Sequence, residues 1–531
     1  MGILTENQTE VIDFLASPST HGGAAVERID THTAIVILAG ARAWKLKRAV
    51  RFDYLDFSTM DRRKAMCETE VRLNRRTAPS VYRGVIAVTR ERDGSLALGG
   101  SGTPVDWVVE MHRFEQETLF DRLAARGRLD VELMSPLADA IAHFHLAAEH
   151  RTDHGGTTGM AWVIEGNAAG FAEYGTNVLE PSACFRLTDD TCAELDRRGA
   201  LLDARRAAGD VRQCHGDLHL RNIVLLDGRP TLFDAVEFND EIACIDVLYD
   251  LAFLLMDLWR RRLPQHANAV WNGYLAETAD LEGVSLLPLF LSCRAAVRAK
   301  TSATAARFQS APERAGELRE LARDYLTLAE SLLHPPEPCV LAIGGFSGSG
   351  KSTLGRALAP SVGAVPGAVV VRSDEIRKRL CGVPPLERLD PQGYAPEISR
   401  RVYATVAERA AAVVRAGHSV IVDAVFARPL DRTAIERVAT GASVPFVGLW
   451  LDAPEAVLIG RLRDRRRDPS DANTDVVRMQ LAQDTGVIGW RRIDASPAAA
   501  VVSQCATTYL QNQASGCAAG HLPPCTPRGK P

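Results

Sequence analysis

The sequence has no C-x-x-C pair among its eleven cysteines. Without that spacing a zinc ribbon has no support, and an odd, unpatterned set suits reduced thiols better than a disulfide framework. No run of ~18 uninterrupted apolar residues occurs, so no membrane span is expected. The longest candidate, VLYDLAFLLMDLW, is short and carries Asp250 and Asp257. The opening residues, MGILTENQTEVIDFLASP, lack a basic start followed by an apolar run, so no signal peptide is expected. Where a myristoylation signal needs Ser or Thr, the chain has Glu6 or Asn7. An excess of one charge is missing too. Lys plus Arg total 62 and Asp plus Glu 66, a net charge of -4, which argues against a generally basic nucleic-acid binder. No internal repeat is visible. These absences leave a cytoplasmic globular protein, and 531 residues are too many for one core, so two or three domains are expected.

The chain begins with short strands. VERID, TAIVILAG and RAWKLKRAV are separated by turns at Thr31–His32 and Gly40–Ala41. A charged helix follows, STMDRRKAMCETEVRLNRRTA, with Ser58 or Thr59 as its cap. YRGVIAVTRE and SLALGG are joined by Asp93–Gly94, a strong hairpin signal, and DWVVEMHRF is another strand. From Glu117 onward the pattern is mostly helical, broken at HGDLHLRNIVLL and TLFDAVEF, which read as a short hairpin. Strands first and helices afterwards predict a two-lobed α+β domain. The segment HPPEP at 334–338 is the expected linker. Beyond it the strands CVLAIGG, AVVVRS, SVIVDAVF and PFVGLWLD alternate with helices, the pattern of an α/β domain with a parallel, doubly wound sheet. The expected domains are therefore 1–334 and 335–502, with a disordered tail over 503–531.

The second domain carries GFSGSGKS at 345–352, a match to G-x-x-x-x-G-K-[ST] with a strand before it and a helix after. Such a loop turns its amides toward phosphate oxygens, and the helix N-terminus adds partial positive charge. Gly345, Gly348, Ser349, Gly350, Lys351, Ser352 and Thr353 are the candidate nucleotide contacts. Lys351 would reach the β- and γ-phosphates, and Ser352 would hold Mg²⁺. Ligands of this sheet type bind at the carboxyl ends of strands. Asp374 is thus a candidate base, Arg377 an acceptor-orienting group and Asp423 a second metal-binding group. Arg461, Arg465 and Arg466 precede DPSDAN and could close over ATP, with Arg461 on the nucleotide and Arg465 catalytic. A blander reading has Asp374 capping its helix and these arginines on a solvated face.

In the first domain, HGDLHLRN at 215–222 has the spacing of a kinase catalytic loop, H-x-D-x-x-x-x-N. Asp217 would take the acceptor's proton and Asn222 would bind metal. Asp234, ending an apolar strand in LFDAVEF, stands where a second metal-binding acid belongs. Phosphoryl transfer also needs a lysine on the phosphates. AWKLK offers Lys45 and Lys47, which share a strand face; Lys47 better fits the apolar-x-Lys pattern. Glu70 on the next helix is its expected partner, with Glu68 the alternative. His215 and His219 are read as structural hydrogen bonders.

The first half resembles the aminoglycoside phosphotransferase superfamily over residues 25–330, through HGDLHLRN and IDVLYDLAFL. The resemblance implies a protein-kinase-like fold using Mg²⁺ and ATP. One departure is plain: the first turn reads Asp30-Thr31-His32-Thr33 and holds no glycine-rich loop. The second half resembles the small-molecule kinase branch of P-loop proteins over 339–500, the group that includes gluconate, adenylylsulfate and polynucleotide kinases. The order of the halves, with KLKRAVRFDYLDFST, resembles bacterial bifunctional aminoglycoside phosphotransferase/ATP-binding proteins. This implies a bifunctional kinase acting on hydroxyls of small molecules. The rivals are a nucleotide-binding regulator in the first half and a nucleic-acid end kinase in the second. No acid occurs between Gly283 and Ala311, while Arg294, Arg298, Lys300 and Arg307 do. That imbalance suggests an anionic small-molecule acceptor, or else a basic solvated helix face.

Overall fold

The structure, a computed structural model, describes residues 3–52, 54–384, 387–464 and 470–512. It divides into two compact units. One joins Met1–Glu173 to Thr188–Asp257, and the other joins Tyr174–Leu187 to Leu258–Pro531.

The first unit is built on six antiparallel strands. Their order is Val26–Asp30, Ala34–Ala39, Arg42–Lys47, Thr103–His112, Tyr82–Arg90 and Leu96–Leu98. The second and third are joined by a two-residue turn at Gly40, whose φ of 54° suits a tight hairpin. Strand alternation then sorts the third strand. Trp44 and Leu46 join an apolar cluster with Val11, Leu15, Ile35 and Ile37. Ala43 packs on the other face with Cys67 and Val71 of the helix Met60–Asn74. Lys45 and Lys47 share that second face. Thr59 caps this helix by accepting from the Arg62 amide, as expected for Ser58 or Thr59. A buried pair, Arg63 Nε to Asp106 Oδ1 at 2.9 Å, ties the helix to the sheet. The expected hairpin is present as Ile223–Leu226 against Arg229–Leu232.

The second unit holds a five-stranded parallel sheet in the order Val369–Arg372, Val420–Asp423, Val340–Gly345, Phe446–Asp452, Arg491–Asp494. The fifth strand, RRID, was not expected: it lies at the edge, where three of its four residues are exposed, and an apolar run is not required there. The tail expected to be disordered from 503 is helical as far as Asn512, within Ala499–Asn512. Val502, Ala506 and Leu510 recur every fourth residue and join the core beside Leu354 and Leu358. Polar neighbours hide that stripe in the sequence. Residues 513–531 lie outside the described residues.

The division between units also differs from the expected one at 334. The helices Pro264–Thr278, Leu287–Phe308 and Pro312–Leu333 belong to the P-loop unit. A pair of asparagines one turn apart joins the first of these helices to the edge of the sheet. Asn268 Nδ2 donates to the carbonyls of Pro366 (3.2 Å) and Ala368 (3.1 Å). Asn272 Oδ1 accepts from the Val370 amide at 2.7 Å, and its Nδ2 donates to the Ala368 carbonyl at 3.2 Å. The helix thereby pairs Ala368 and Val370 on the outer edge of the strand Val369–Arg372, where no other strand pairs among the described residues.

Candidate active sites

In the first unit the catalytic-loop motif is held from beneath. Asp250 accepts from the His215 amide (3.0 Å), the Gly216 amide (2.9 Å) and His145 Nε2 (3.1 Å). Asp257, two helical turns on, accepts from the Leu220 amide at 3.2 Å. His145, Cys214 and Asp250 are close enough to suggest a metal cluster, but Asp250 already accepts from His145 and two backbone amides, and the Cys214 thiol donates to the Ile245 carbonyl. His215 donates through Nε2 to the Phe233 carbonyl at 2.9 Å, which fixes the tautomer. Burial holds its pKa below the usual histidine value, against the pull of Asp250 and Asp217. His215 is thus a neutral strut between the loop and the hairpin, as read from the sequence.

Asp217 leaves 40% of its side chain exposed. Asn222 Nδ2 donates to the Asp217 carbonyl (2.9 Å) and to Oδ2 (3.0 Å), and His219 Nε2 lies 3.3 Å from the same oxygen. With its amide nitrogen committed to Asp217, the oxygen that Asn222 could offer a metal is Oδ1. Its carbonyl accepts from the Phe233 amide, which brings Asn222 beside Asp234. Asp234 takes a left-handed backbone, φ 62°, unusual for a residue with a side chain. Two clamps hold it there. Its amide donates to the Tyr82 hydroxyl at 3.1 Å, and the Ala235 amide donates to Asn74 Oδ1 at 2.8 Å.

The lysine face is where the structure departs from the sequence expectation. Lys45 Nζ lies 2.8 Å from Glu70 and 2.6 Å from Asp234. Lys47, expected to be the phosphate lysine, is sealed behind it between Glu70 (2.7 Å) and Glu237, over the ring of Phe57. Both lysines reach Glu70; only Lys45 also bonds Asp234. Burial opposes charge on Lys45, yet Asp234 and Glu70 outweigh it and hold its pKa well above the ordinary value. Burial likewise opposes charge on Glu70, and the two lysines overcome it, drawing its pKa down to about 2. Glu237 goes the other way, because burial outweighs its lysine partner. Glu68, the alternative partner, is exposed beside Lys64.

In the second unit, Gly348 and Gly350 have φ of 84° and 92°, as the phosphate loop requires. A Cβ on Gly348 would also fall 2.5 Å from the Leu458 carbonyl. Lys351 folds over the loop to the Phe346 carbonyl at 3.1 Å. Ser349 Oγ is buried with no hydrogen-bond partner among the described residues, as suits a cradle for an oxygen-rich ligand. Thr353 is exposed on the first turn of the helix Lys351–Leu358. Ser352 Oγ donates to Asp423 Oδ2 at 2.6 Å, so the two candidate metal-binding groups meet. Arg461 donates to the Pro497 carbonyl (2.9 Å) and lies 3.5 Å from the Ser349 carbonyl, beside the loop. Arg465 and Arg466 lie outside the described residues.

Asp374 sits in the first turn of the helix Ser373–Leu380. Arg377, one turn on, donates to the Gly393 carbonyl (2.8 Å) and Ser399 Oγ (3.1 Å) and stacks over Tyr394. Asp471, of the DPSDAN segment, gathers Lys378 (3.0 Å), the Leu389 amide (3.0 Å) and the Tyr394 hydroxyl (3.1 Å). Sequence reasoning missed Lys378 and Asp471 because they are far apart in the chain. It missed Asn74 too, although its four-residue spacing from Glu70 was a usable signal. Elsewhere in this unit Arg294 is buried, and Arg298 and Arg307 lie over the rings of Tyr325 and Tyr174.

A family model described as "Phosphotransferase enzyme family" matches residues 95–287, and one described as "AAA domain" matches 340–485. Among curated proteins, the chain is 32% identical over 474 residues to "Uncharacterized protein Rv2004c" of Mycobacterium tuberculosis (strain ATCC 25618 / H37Rv), covering 88% of this chain and 91% of that protein. It is 33% identical over 123 residues to an adenylyl-sulfate kinase of Myxococcus xanthus (strain DK1622), covering 23% of this chain and 62% of that protein. Among solved structures, an amicoumacin kinase in complex with AMP-PNP, Ca²⁺ and Ami is 12% identical, with 61% of this chain and 94% of that chain covered and a TM-score of 0.38.

Proposed function

We propose a function from one premise: this chain belongs to the family that joins a phosphotransferase-enzyme domain to a P-loop AAA-type domain. Both domains are of kinase type. The finer reading is that each passes the γ-phosphoryl group of ATP to a hydroxyl of a small molecule. The observation that carries it is Lys45 held between Glu70 and Asp234, with Asp217 and Asn222 hydrogen-bonded in the loop next to Asp234. Mg²⁺ would suit the hard oxygen donors Asn222 Oδ1 and Asp234 in one site and Ser352 and Asp423 in the other, and would there neutralise charge on the transferred phosphoryl group.

The protein's own groups supply the rest. Glu70 fixes the Lys45 ammonium, which binds phosphate oxygens. Asp217 takes the acceptor's proton, and Asn222 holds its Oδ2. In the second site the loop amides and Lys351 bind phosphates, and Arg461 lies on the nucleotide side. Asp374 takes the acceptor's proton and Arg377 helps shape the acceptor wall. The cysteines among the described residues are all free thiols, which supports a reducing, cytoplasmic setting. No helix among the described residues is long and apolar enough to cross a membrane.

The test uses the full chain, a metabolite pool and ATP labelled at the γ-phosphate. Two separable transfer activities are expected, one lost in Lys45→Met and the other in Lys351→Ala. If Lys45→Met loses nothing, the first module is a nucleotide-binding regulator. If the wild type transfers no label, the reading is wrong.

A further inference from the structure

Arg372 ends the edge strand Val369–Arg372, and its side chain enters the P-loop site, only 7% of the residue remaining exposed. Parallel pairing sets it directly opposite Asp423. Its Nη2 donates to Ser352 Oγ at 2.9 Å and its Nε to Asp423 Oδ2 at 3.3 Å. Its Nη1 donates to Glu375 Oε1 at 2.8 Å. The guanidinium therefore binds the same serine and carboxylate oxygens that form the pair fit for a divalent cation. A magnesium ion on those oxygens would compete with the guanidinium for their lone pairs and repel its positive charge.

We propose that Arg372 is a built-in counter-cation of the P-loop site, which neutralises Asp423 and yields Ser352 and Asp423 to the metal when metal–nucleotide binds. This rests on the nucleotide-cradle reading above. The sheet makes the competition unavoidable: Arg372 and Asp423 are register partners on adjacent strands, so no loop movement separates their backbones. Glu375 is the tether. It lies one helical turn along, its side chain 38% exposed, and keeps its bond to Nη1 while the other end of the guanidinium turns away. Two consequences follow for binding alone. Without metal, a polyphosphate meets a neutralised carboxylate, so Arg372 supports metal-free nucleotide binding. With metal, the guanidinium must be displaced, so Arg372 weakens the gain that the metal brings. Arg372 thus acts on the metal preference of the site through Asp423 and Ser352, as a positioning residue.

The experiment titrates the full chain with a fluorescent ADP analogue, once in EDTA and once in excess Mg²⁺. The P-loop component is the one that Lys351→Ala removes. For Arg372→Gln, which keeps much of the side-chain volume without the charge, the ratio of the EDTA Kd to the Mg²⁺ Kd should rise at least about tenfold, a change well outside titration error. Arg372→Lys, which keeps the charge, should leave the ratio within about threefold of wild type. Melting curves establish that both variants are folded, and if Arg372→Gln does not fold, the lysine variant and Glu375→Gln carry the test: Glu375→Gln frees the guanidinium for Asp423 and should lower the ratio. An unchanged ratio in folded Arg372→Gln, including equal weakening with and without metal, overturns the proposal. Should Lys351→Ala remove no binding component, the nucleotide-cradle reading itself fails, which is a separate result.

Discussion

Replacing Asn272 with alanine should loosen the P-loop sheet from its outer edge. Asn272 Oδ1 is the partner of the Val370 amide at 2.7 Å. Among the described residues no neighbouring strand can take over, since Val369–Arg372 is the last strand on that side. Alanine leaves a donor covered by a helix without an acceptor, a loss of about 1–3 kcal/mol. Asn268→Ala should cost less, nearer 1 kcal/mol, because it strips only carbonyls, and the Ala368 carbonyl keeps its bond from Asn272. The two asparagines share that carbonyl and bond each other, so the double variant should fall short of the sum. For a unit of this size the Asn272 change corresponds to a melting shift of roughly 2–10 °C. Calorimetry of the full chain reads the shift, and hydrogen exchange at the Val370 amide reads the cause. Unfolding within about 0.5 kcal/mol of wild type, with unchanged exchange at Val370, would refute the reasoning. The same logic says that a fragment starting at residue 335 bares this edge, and should be less stable than the intact chain.

The lysines should separate by consequence. Lys47→Met strands Glu237 in a buried site and should destabilise the first unit by about 3–5 kcal/mol, whereas Lys45→Met should chiefly remove phosphotransfer; equal melting points for the two variants would refute this. Asp217→Asn should keep metal–nucleotide binding and lose turnover, while Asp234→Asn should weaken binding as well; calorimetric titration decides, and wild-type binding by both would remove Asp234 as a metal-binding group. His215 and His418 have pKa values pushed below 6.5, chiefly by burial. Between the lowered value and about 6.5 the unfolded chain binds protons that the folded chain does not, so stability rises with pH across that window and is lost as pH falls through it. Melting temperature should therefore drop from pH 7 toward pH 5, with a shallower drop in His215→Asn and His418→Asn; unchanged slopes would contradict the assignment.

Both site motifs were legible in the sequence because each is contiguous. GFSGSGKS and HGDLHLRN dictate their own geometry through glycine φ, loop length and the helix or hairpin that follows. The parallel sheet was equally legible, since four of its strands are buried apolar runs. The fifth, RRID, was not, because an exposed edge strand needs no such run. What the chain could not decide by itself was which lysine meets Asp234. Residues two apart on a strand share a face, so Lys45 and Lys47 are equivalent until something lies opposite them. Only the folded chain puts Asp234 opposite Lys45 and Glu237 opposite Lys47. Asp250 under the catalytic loop, Asn272 on the sheet edge and Asp471 beside Tyr394 share that origin. Each is an ordinary polar residue in its own segment, and each acquires its role from a partner that lies 35, 98 or 77 positions away. Local propensity fixes a segment's shape over a few residues, whereas buried charges and orphan amides must find partners wherever the fold brings them.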